Sequence, residues 1–180
     1  MKLLVSTCFS FLLATSALAQ QRGAVVVNDN GINCVNITGE TGFNATSYSL
    51  GGTINTGNPG SPGGSKTPSL KDLVVTKNFD DCSAPLIRLF LGGTVASTLK
   101  LIQYSNSTNT VRPFAEFTIT LTNALMNSYE IDGSPMVSPT EKLTFTYSKV
   151  CVASVSARSD GSLTNEVRVC YDVAGKQLSS

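Results

Sequence analysis

The sequence predicts a mainly β domain that contains one short helix. Apolar and polar residues alternate along much of the chain, for example in residues 117–122 (FTITLT) and 143–147 (LTFTY). Such alternation is typical of half-buried β-strands, whose side chains point in turn to opposite faces of a sheet. One segment, residues 83–91, breaks the alternation and carries the start and stop signals of a helix. No second domain and no internal repeat is indicated.

The predicted strands follow one another along the whole chain. They cover residues 24–27, 34–38, 46–50, 70–77, 96–104, 117–122, 126–131, 143–147, 150–157 and 166–173. Asp-Gly pairs at 132–133 and 160–161 are turn signals, and the second pair predicts a C-terminal hairpin over residues 150–173. Residues 51–68 are rich in Gly, Pro, Ser and Asn without apolar periodicity, so we expect a long loop there.

The predicted helix is apolar on all sides. Ser83 as a capping residue and Pro85 in the first turn mark its start, and the glycines at 92–93 mark its end. Between these signals Arg88 is the only charged residue. Such a helix is expected to be covered on more than one side. The cover is either one domain that buries the helix completely, or its own sheet together with a neighbouring subunit.

Residues 1–19 have the pattern of a secretory signal peptide. Lys2 is followed by a mostly apolar run, residues 3–13, and by the small-residue cleavage pattern of residues 17–19 (ALA). The run is shorter than the roughly 20 residues that span a bilayer. The mature chain, residues 20–180, is therefore predicted to be a single domain without membrane attachment that is secreted or periplasmic.

The composition argues against several classes of function. Charged residues make up only 14% of the chain and the formal net charge is +1, without a basic patch, so we expect no nucleic-acid partner. The chain contains no histidine, which removes the usual general base and the commonest metal ligand. We accordingly predict a protein that is not an enzyme and that uses no metal and no cofactor.

Four acidic residues were considered as a carboxylate pair for glycoside hydrolysis, which requires two acids that flank the scissile bond. They are Glu116, Glu130, Asp132 and Glu141. Glu116 occupies an outward position of its alternating strand and Asp132 lies in a predicted turn. We therefore interpret the four carboxylates as solvated surface.

Four cysteines lie outside the predicted signal peptide: Cys34, Cys82, Cys151 and Cys170. In an exported chain they are expected to form disulfides, and four cysteines allow three pairings. A hairpin centred on residues 160–161 puts Cys151 opposite Cys170, as a pair of the hydrogen-bonded, wider-spaced kind. We favour bonds between Cys151 and Cys170 and between Cys34 and Cys82.

Short motifs occur in a consistent order along the chain. They are residues 37–40 (ITGE), 48–51 (YSLG), 73–77 (LVVTK) and 79–86 (FDDCSAPL), followed by Gly92, Glu141 and residues 145–147 (FTY). Over residues 35–150 this order resembles the Hcp (haemolysin-coregulated protein) family, the tube-forming proteins of bacterial type VI secretion. The resemblance implies a β-barrel of two packed antiparallel sheets with one short α-helix on its flank.

The resemblance also implies a function and partners. Members of the family form six-membered rings that stack into a hollow tube, which can carry effector proteins. The chain is accordingly expected to be a structural protein that self-associates as a homohexamer, with secretion-system proteins or effector cargo as further partners. On this basis residues 51–68 reach towards the next ring and residues 83–91 lie near the contacts within a ring.

Three features distinguish the chain from typical members of that family. They are the signal peptide, the cysteines and a C-terminal extension over residues 151–180. A second interpretation therefore stays open, in which the chain is a monomeric exported β-barrel. Such a barrel acts as a binding or adhesion module and has no role in a secretion tube.

Overall fold

A computed structural model describes residues 24–28, 34, 41–54, 68–105 and 114–179. The predicted signal peptide, the predicted strand 34–38 except Cys34, and the middle of the predicted 51–68 loop lie outside these residues. The described strands are β1 (Ala24–Asn28), β2 (Gly42–Ala45), β3 (Ser47–Ser49), β4 (Gly52–Ile54), β5 (Pro68–Leu70), β6 (Leu73–Asn78), β7 (Val95–Ser105), β8 (Phe114–Ser134), β9 (Val137–Thr146), β10 (Lys149–Ser154), β11 (Val167–Asp172) and β12 (Gln177–Ser179). Helix α1 (Ser83–Leu91) lies between β6 and β7. The predicted mainly β fold with one short helix is confirmed.

Ten of the strands form one antiparallel sheet that curls until it closes. The circle runs from β1 to β2, from β3 through β6, β9, β8 and β7, and back to β1. Strands β2 and β3 close it, since only Thr46 separates them and its N–H donates to the Thr76 carbonyl oxygen at 2.8 Å. Closure removes free sheet edges from this part of the fold. The expected barrel is confirmed, and its two expected sheets are continuous with each other.

Strand β8 joins the two halves of the barrel. Its first part pairs with β7 and β10, and its second part pairs with β9. The sequence predicted two strands here, with a turn at residues 132–133, and that prediction is wrong. The strand continues through Asn123, which has a φ of 50°, and through register shifts against β9, so the chain bends without leaving the ladder. The turn lies at residues 135–136 instead.

The barrel interior is filled by the apolar members of the alternating strands. Ile119 and Leu121 of β8 and Leu143 and Phe145 of β9 are each at most 1% exposed. The remaining buried core includes Phe43, Leu73, Val75, Leu86, Ala96, Leu99, Leu101, Ala124, Met126, Tyr147 and Val150. The intervening threonines are only partly buried. Period-two alternation therefore identified the inner and outer faces of these strands correctly.

The C-terminal hairpin extends the sheet beyond the barrel. Its register places Cys151 opposite Cys170, and the structure contains a disulfide between them with a Cα–Cα distance of 4.0 Å. The Val173 N–H donates to the Ser148 carbonyl oxygen at 2.9 Å, so these two residues form a hydrogen-bonded pair. Hydrogen-bonded and non-hydrogen-bonded pairs alternate along an antiparallel ladder, so Cys151 and Cys170, three positions further along, form a narrow, non-hydrogen-bonded pair. The predicted wider-spaced pairing is therefore wrong. The predicted two-residue turn is also wrong, because the Arg158 N–H donates to the Ser162 carbonyl oxygen across a wider turn.

The predicted loop over residues 51–68 has ordered ends. Strands β4 and β5 pair antiparallel and form a separate two-stranded ribbon. At the base of this ribbon, the Lys71 N–H donates to the Gly51 carbonyl oxygen at 2.8 Å. The predicted irregular loop is therefore wrong for these two ends, which form paired strands.

Helix α1 is covered on one side only. Leu86 is fully buried, whereas Leu91 is 76% exposed and Arg88 is exposed. Complete burial of the helix within one domain, one of the two expectations, is therefore wrong. The helix ends at Gly92, as predicted, and Gly93 has the positive φ of 57° that favours glycine. Ser83 is the first helical residue and not the cap, which is Cys82.

Candidate functional site

The start of α1 lies beside a buried ion pair. Lys77 of β6 and Glu141 of β9 face each other across the two strands, and both side chains are 0% exposed. The Lys77 ammonium donates to Glu141 Oε2 at 2.5 Å and to Asp80 Oδ1 at 2.8 Å. Lys77 points inward because it follows the inward-facing Leu73 and Val75 at every second position of β6. A buried charge requires partners of this kind, because desolvation otherwise costs several kcal/mol.

The first turn of α1 is attached to this ion pair through Ser83. The Ser83 hydroxyl donates to Glu141 Oε2 at 2.7 Å and accepts from the Asp80 N–H at 3.0 Å. Asp80 Oδ1 also accepts from the Cys82 N–H at 2.9 Å. The residues that lead into the helix are thus held by side-chain hydrogen bonds.

Tyr129 of β8 completes the cluster. Its hydroxyl donates to Glu141 Oε1, and its ring stacks on Phe90 of α1 with centroids 6.0 Å apart. Burial raises the pKa of the Tyr129 hydroxyl above its ordinary value, and the hydrogen bond to Glu141 raises it further. We call Lys77, Asp80, Ser83, Tyr129 and Glu141 the Lys77 cluster.

The Lys77 cluster attaches the helix to the barrel through side-chain hydrogen bonds. Each carboxylate oxygen of Glu141 accepts at least one hydrogen bond, and the Lys77 ammonium contacts two carboxylates. The prediction that Glu141 lies on the solvated surface is wrong, because Glu141 is 0% exposed. The alternation contained the correct signal, because Glu141 precedes the inward-facing Leu143 and Phe145 at the same period of two.

The other three acids considered for catalysis are not buried with Glu141. Glu116, Glu130 and Asp132 are exposed, as predicted, and Glu130 forms a surface ion pair with Lys142 at 3.1 Å. Among the described residues the structure therefore brings no two of these four carboxylates together around a cleft.

Glu116 borders an open groove of about 380 Å³. The groove is lined by Tyr48, Gln103, Glu116, Phe117, Ser154, Val155 and Ser156. Burial raises the pKa of the Tyr48 hydroxyl, and the negative charge of Glu116 adds to the effect. With a single carboxylate, the groove does not offer the two acids that glycoside hydrolysis needs.

The two cysteines outside the disulfide lie close together. Cys34 and Cys82 are free thiols, 6% and 7% exposed. Burial, followed by a hydrogen bond to Cys34, raises the pKa of the Cys82 thiol to about 12. The structure thus places side by side the two residues for which a bond was expected, and the bond itself stays a prediction.

Among the apolar side chains that are exposed in the described residues, two groups are considered as contact surfaces. The first is the tip of the β8–β9 hairpin, residues 130–140, which we call the hairpin arm; Met136 is 93% and Val137 65% exposed. Phe79 lies beside it, 49% exposed, with its N–H bonded to the Pro139 carbonyl oxygen at 2.9 Å. The second is the C-terminal end of α1 around Leu91. Exposed apolar patches of this kind often mark contacts with other proteins.

In the described segments no group of three or more His, Cys, Asp or Glu residues is arranged to hold a metal ion. The same part of the chain contains no helix with the length and apolar character needed to cross a membrane.

Comparison with known proteins gives one family. The model of the family described as "Type VI secretion system effector, Hcp" matches residues 33–153, about two thirds of the chain. Strands β11 and β12 lie beyond the matched residues. No curated protein matches the chain.

Solved structures of low sequence identity share the fold. A structure described as a type six secretion system protein superposes with a TM-score of 0.76 at 18% identity, over 88% of this chain and 100% of that one. Hcp1 from Salmonella typhimurium gives 0.66 at 15% identity, over 87% of this chain and 98% of its own. The secreted protein Hcp3 from Pseudomonas aeruginosa gives 0.59 at 14% identity, over 84% and 98%.

Proposed function

The chain belongs to the Hcp family of type VI secretion proteins, and from this premise we propose that it is a structural subunit that assembles with copies of itself into a six-membered ring. Proteins of this family form rings and tubes. In the same proposal the rings stack into a tube that carries effector proteins. The chain carries out no catalysis in this role.

The exposed end of α1 is the observation that carries the proposal. The helix presents Leu91 to solvent at 76% exposure, and Leu89 and Phe90 are only partly buried. The Lys77 cluster and the stacking of Phe90 on Tyr129 hold this surface in a fixed orientation. An apolar surface that is held rigidly by its own domain is suited to contact another subunit at low entropic cost. We place the contact between neighbours in a ring here.

The hairpin arm supplies a second surface for assembly. Met136 and Val137 protrude from the barrel at the end of two paired strands, with Phe79 at their side. Core residues of protein interfaces are typically aromatic, Met or otherwise apolar, as these are. The β4–β5 ribbon, which contains the ends of the 51–68 segment, is the part that we assign to contacts with the next ring.

The route of the chain out of the cell is also part of the proposal. Proteins of this family are secreted. We propose that residues 1–19 direct export and are removed, so that each subunit reaches an oxidising compartment before it assembles. The disulfide between Cys151 and Cys170 is consistent with this order of events.

Size-exclusion chromatography with multi-angle light scattering tests the assembly. The chain without residues 1–19 should elute with the mass of six subunits, and negative-stain electron microscopy should reveal rings. A monomer that persists at high protein concentration would remove the proposal. That outcome would favour the monomeric binding or adhesion module, with the β4–β5 ribbon as its binding segment.

A further inference from the structure

We propose that Cys34 and Cys82 are the site of a second disulfide, which links the segment around residue 34 to the start of α1. Both thiols are buried, and the Cys82 thiol is hydrogen-bonded to Cys34 although the two residues are far apart in sequence. Two cysteines from distant segments that meet inside a core form the contact that a disulfide requires.

Strand β2 holds both residues in place. The Gly42 N–H donates to the Cys34 carbonyl oxygen at 2.8 Å, which fixes the backbone of residue 34 against the first residue of β2. The Cys82 sulfur lies 3.8 Å from the Gly42 carbonyl oxygen. One glycine thus contacts both cysteines.

A metal site is a poorer explanation of the thiol pair. Zinc in structural sites takes four ligands, usually Cys and His. The chain contains no histidine, and within the described residues these thiols belong to no group of three or more candidate ligands. The nearby Asp80 carboxylate is already bonded to Lys77 and to the Cys82 N–H.

The bond would secure the attachment of α1 to the barrel. Cys82 caps α1 and directly precedes Ser83, which belongs to the Lys77 cluster. A covalent link at this point would restrain the helix start in addition to the ion pair. The Cys151–Cys170 bond lies in the C-terminal hairpin, so the two bonds would restrain different parts of the fold.

The reaction is a thiol–disulfide exchange with a small or protein disulfide as the oxidant. One cysteine thiolate attacks the oxidant and releases its first thiol, and the second cysteine thiolate then attacks the mixed disulfide and releases the other. The chain loses two electrons and two protons, and the oxidant is reduced to its two thiols. Burial raises the pKa of the Cys82 thiol to about 12, which disfavours the thiolate in the folded chain.

Intact-mass and thiol counting test the proposal on the full chain. The chain carries Cys8→Ser, so that only the cysteines at 34, 82, 151 and 170 are counted, and it is exported to a bacterial periplasm and purified without reductant. After unfolding, N-ethylmaleimide should label no cysteine before reduction and all four after it. A non-reducing peptide map should contain one linked peptide pair that joins Cys34 to Cys82.

Two variants separate the proposed bond from the bond in the hairpin. In C151S/C170S the remaining two cysteines should still resist labelling until they are reduced, whereas C34S should expose one thiol per chain. Labelling of both Cys34 and Cys82 in unfolded, unreduced protein would overturn the proposal, as would a map that links either one to another partner. The peptide map of the chain that carries Cys8→Ser alone decides the question even if one of these variants does not fold.

Discussion

Lys77 and Glu141 are direct cross-strand neighbours with no surface exposed to solvent, and their ion pair holds the first turn of α1 through Ser83. Both residues occupy inward positions of strands that otherwise present apolar side chains to the core. The pair therefore couples the position of the helix to the register between β6 and β9. Loss of either charge leaves the other buried with fewer partners.

Glu141→Gln should lower the free energy of unfolding by about 3–5 kcal/mol, because it leaves the Lys77 ammonium buried with only Asp80 as a carboxylate partner among the described residues. Urea denaturation followed by circular dichroism measures the change. Glu130→Gln is the matched control on the same hairpin, since its ion pair with Lys142 is about half exposed. The control should cost less than about 1 kcal/mol. Equal effects of the two changes would show that the buried pair is not stabilising the fold.

The Cys151–Cys170 bond should stabilise the chain by about 3 kcal/mol, as its sequence separation of 19 residues implies for loop closure. The effect is measured in the C34A/C82A background, where the hairpin bond is the only one that remains. Addition of a phosphine reductant should lower the midpoint of urea unfolding there. The variant that lacks all four of these cysteines should give the same midpoint with and without reductant. If the reductant leaves the midpoint of the C34A/C82A variant unchanged, the bond does not stabilise the chain.

Stability should fall as the pH rises above about 10. The pKa values of Tyr48, Tyr129 and Tyr147 in the folded chain are raised above the ordinary value of 10.0, and burial is the largest cause. In this window the unfolded chain loses tyrosine protons that the folded chain keeps. The unfolded state then binds fewer protons, and the free energy of unfolding decreases with pH.

Tyr129→Phe should flatten this alkaline decrease, because it removes one of the three tyrosines whose pKa is raised. Urea unfolding between pH 8 and pH 11 measures the slope for the wild type and the variant. Absorbance at 295 nm should show fewer tyrosines that resist ionisation in the folded variant. An unchanged slope would mean that Tyr129 ionises alike in the folded and unfolded chain.

Leu91→Glu should weaken assembly without unfolding the barrel, because Leu91 is 76% exposed in the single chain and lies at the proposed contact. Light scattering should register a shift from six subunits towards one. Val167→Glu is the matched control, since Val167 is 66% exposed in β11, outside the residues matched by the family. The control should keep the mass of the wild type. If both changes dissociate the assembly, or if neither does, the proposal that α1 forms the ring interface is wrong.

The sequence predicted most of the strands because one face of each is buried in the barrel. The alternation in residues 117–122 and 143–147 is a direct consequence of that burial, and the single helix was recognised from Pro85 and Gly92. The opposition of Cys151 and Cys170 also followed from the position of the turn, although the turn itself differs in size.

The sequence did not predict the Lys77 cluster, because charged side chains are expected at the surface even where the period-two alternation places them inward. Glu141 lies at an inward site of β9, but a carboxylate is ordinarily exposed, and its partner Lys77 is remote in sequence. The continuity of β8 was missed for a related reason. Asn123 adopts a positive φ that a turn would also use, and the strand continues because the residues after it pair with β7 and β9.

The β4–β5 ribbon is a side branch of the architecture, since in the described parts of the chain it pairs with no strand of the barrel. A foreign epitope or small folded tag inserted between Ile54 and Pro68 would therefore leave the hydrogen-bonded circle undisturbed. The protein thus offers an insertion site at which different peptides can be displayed without a change to the barrel.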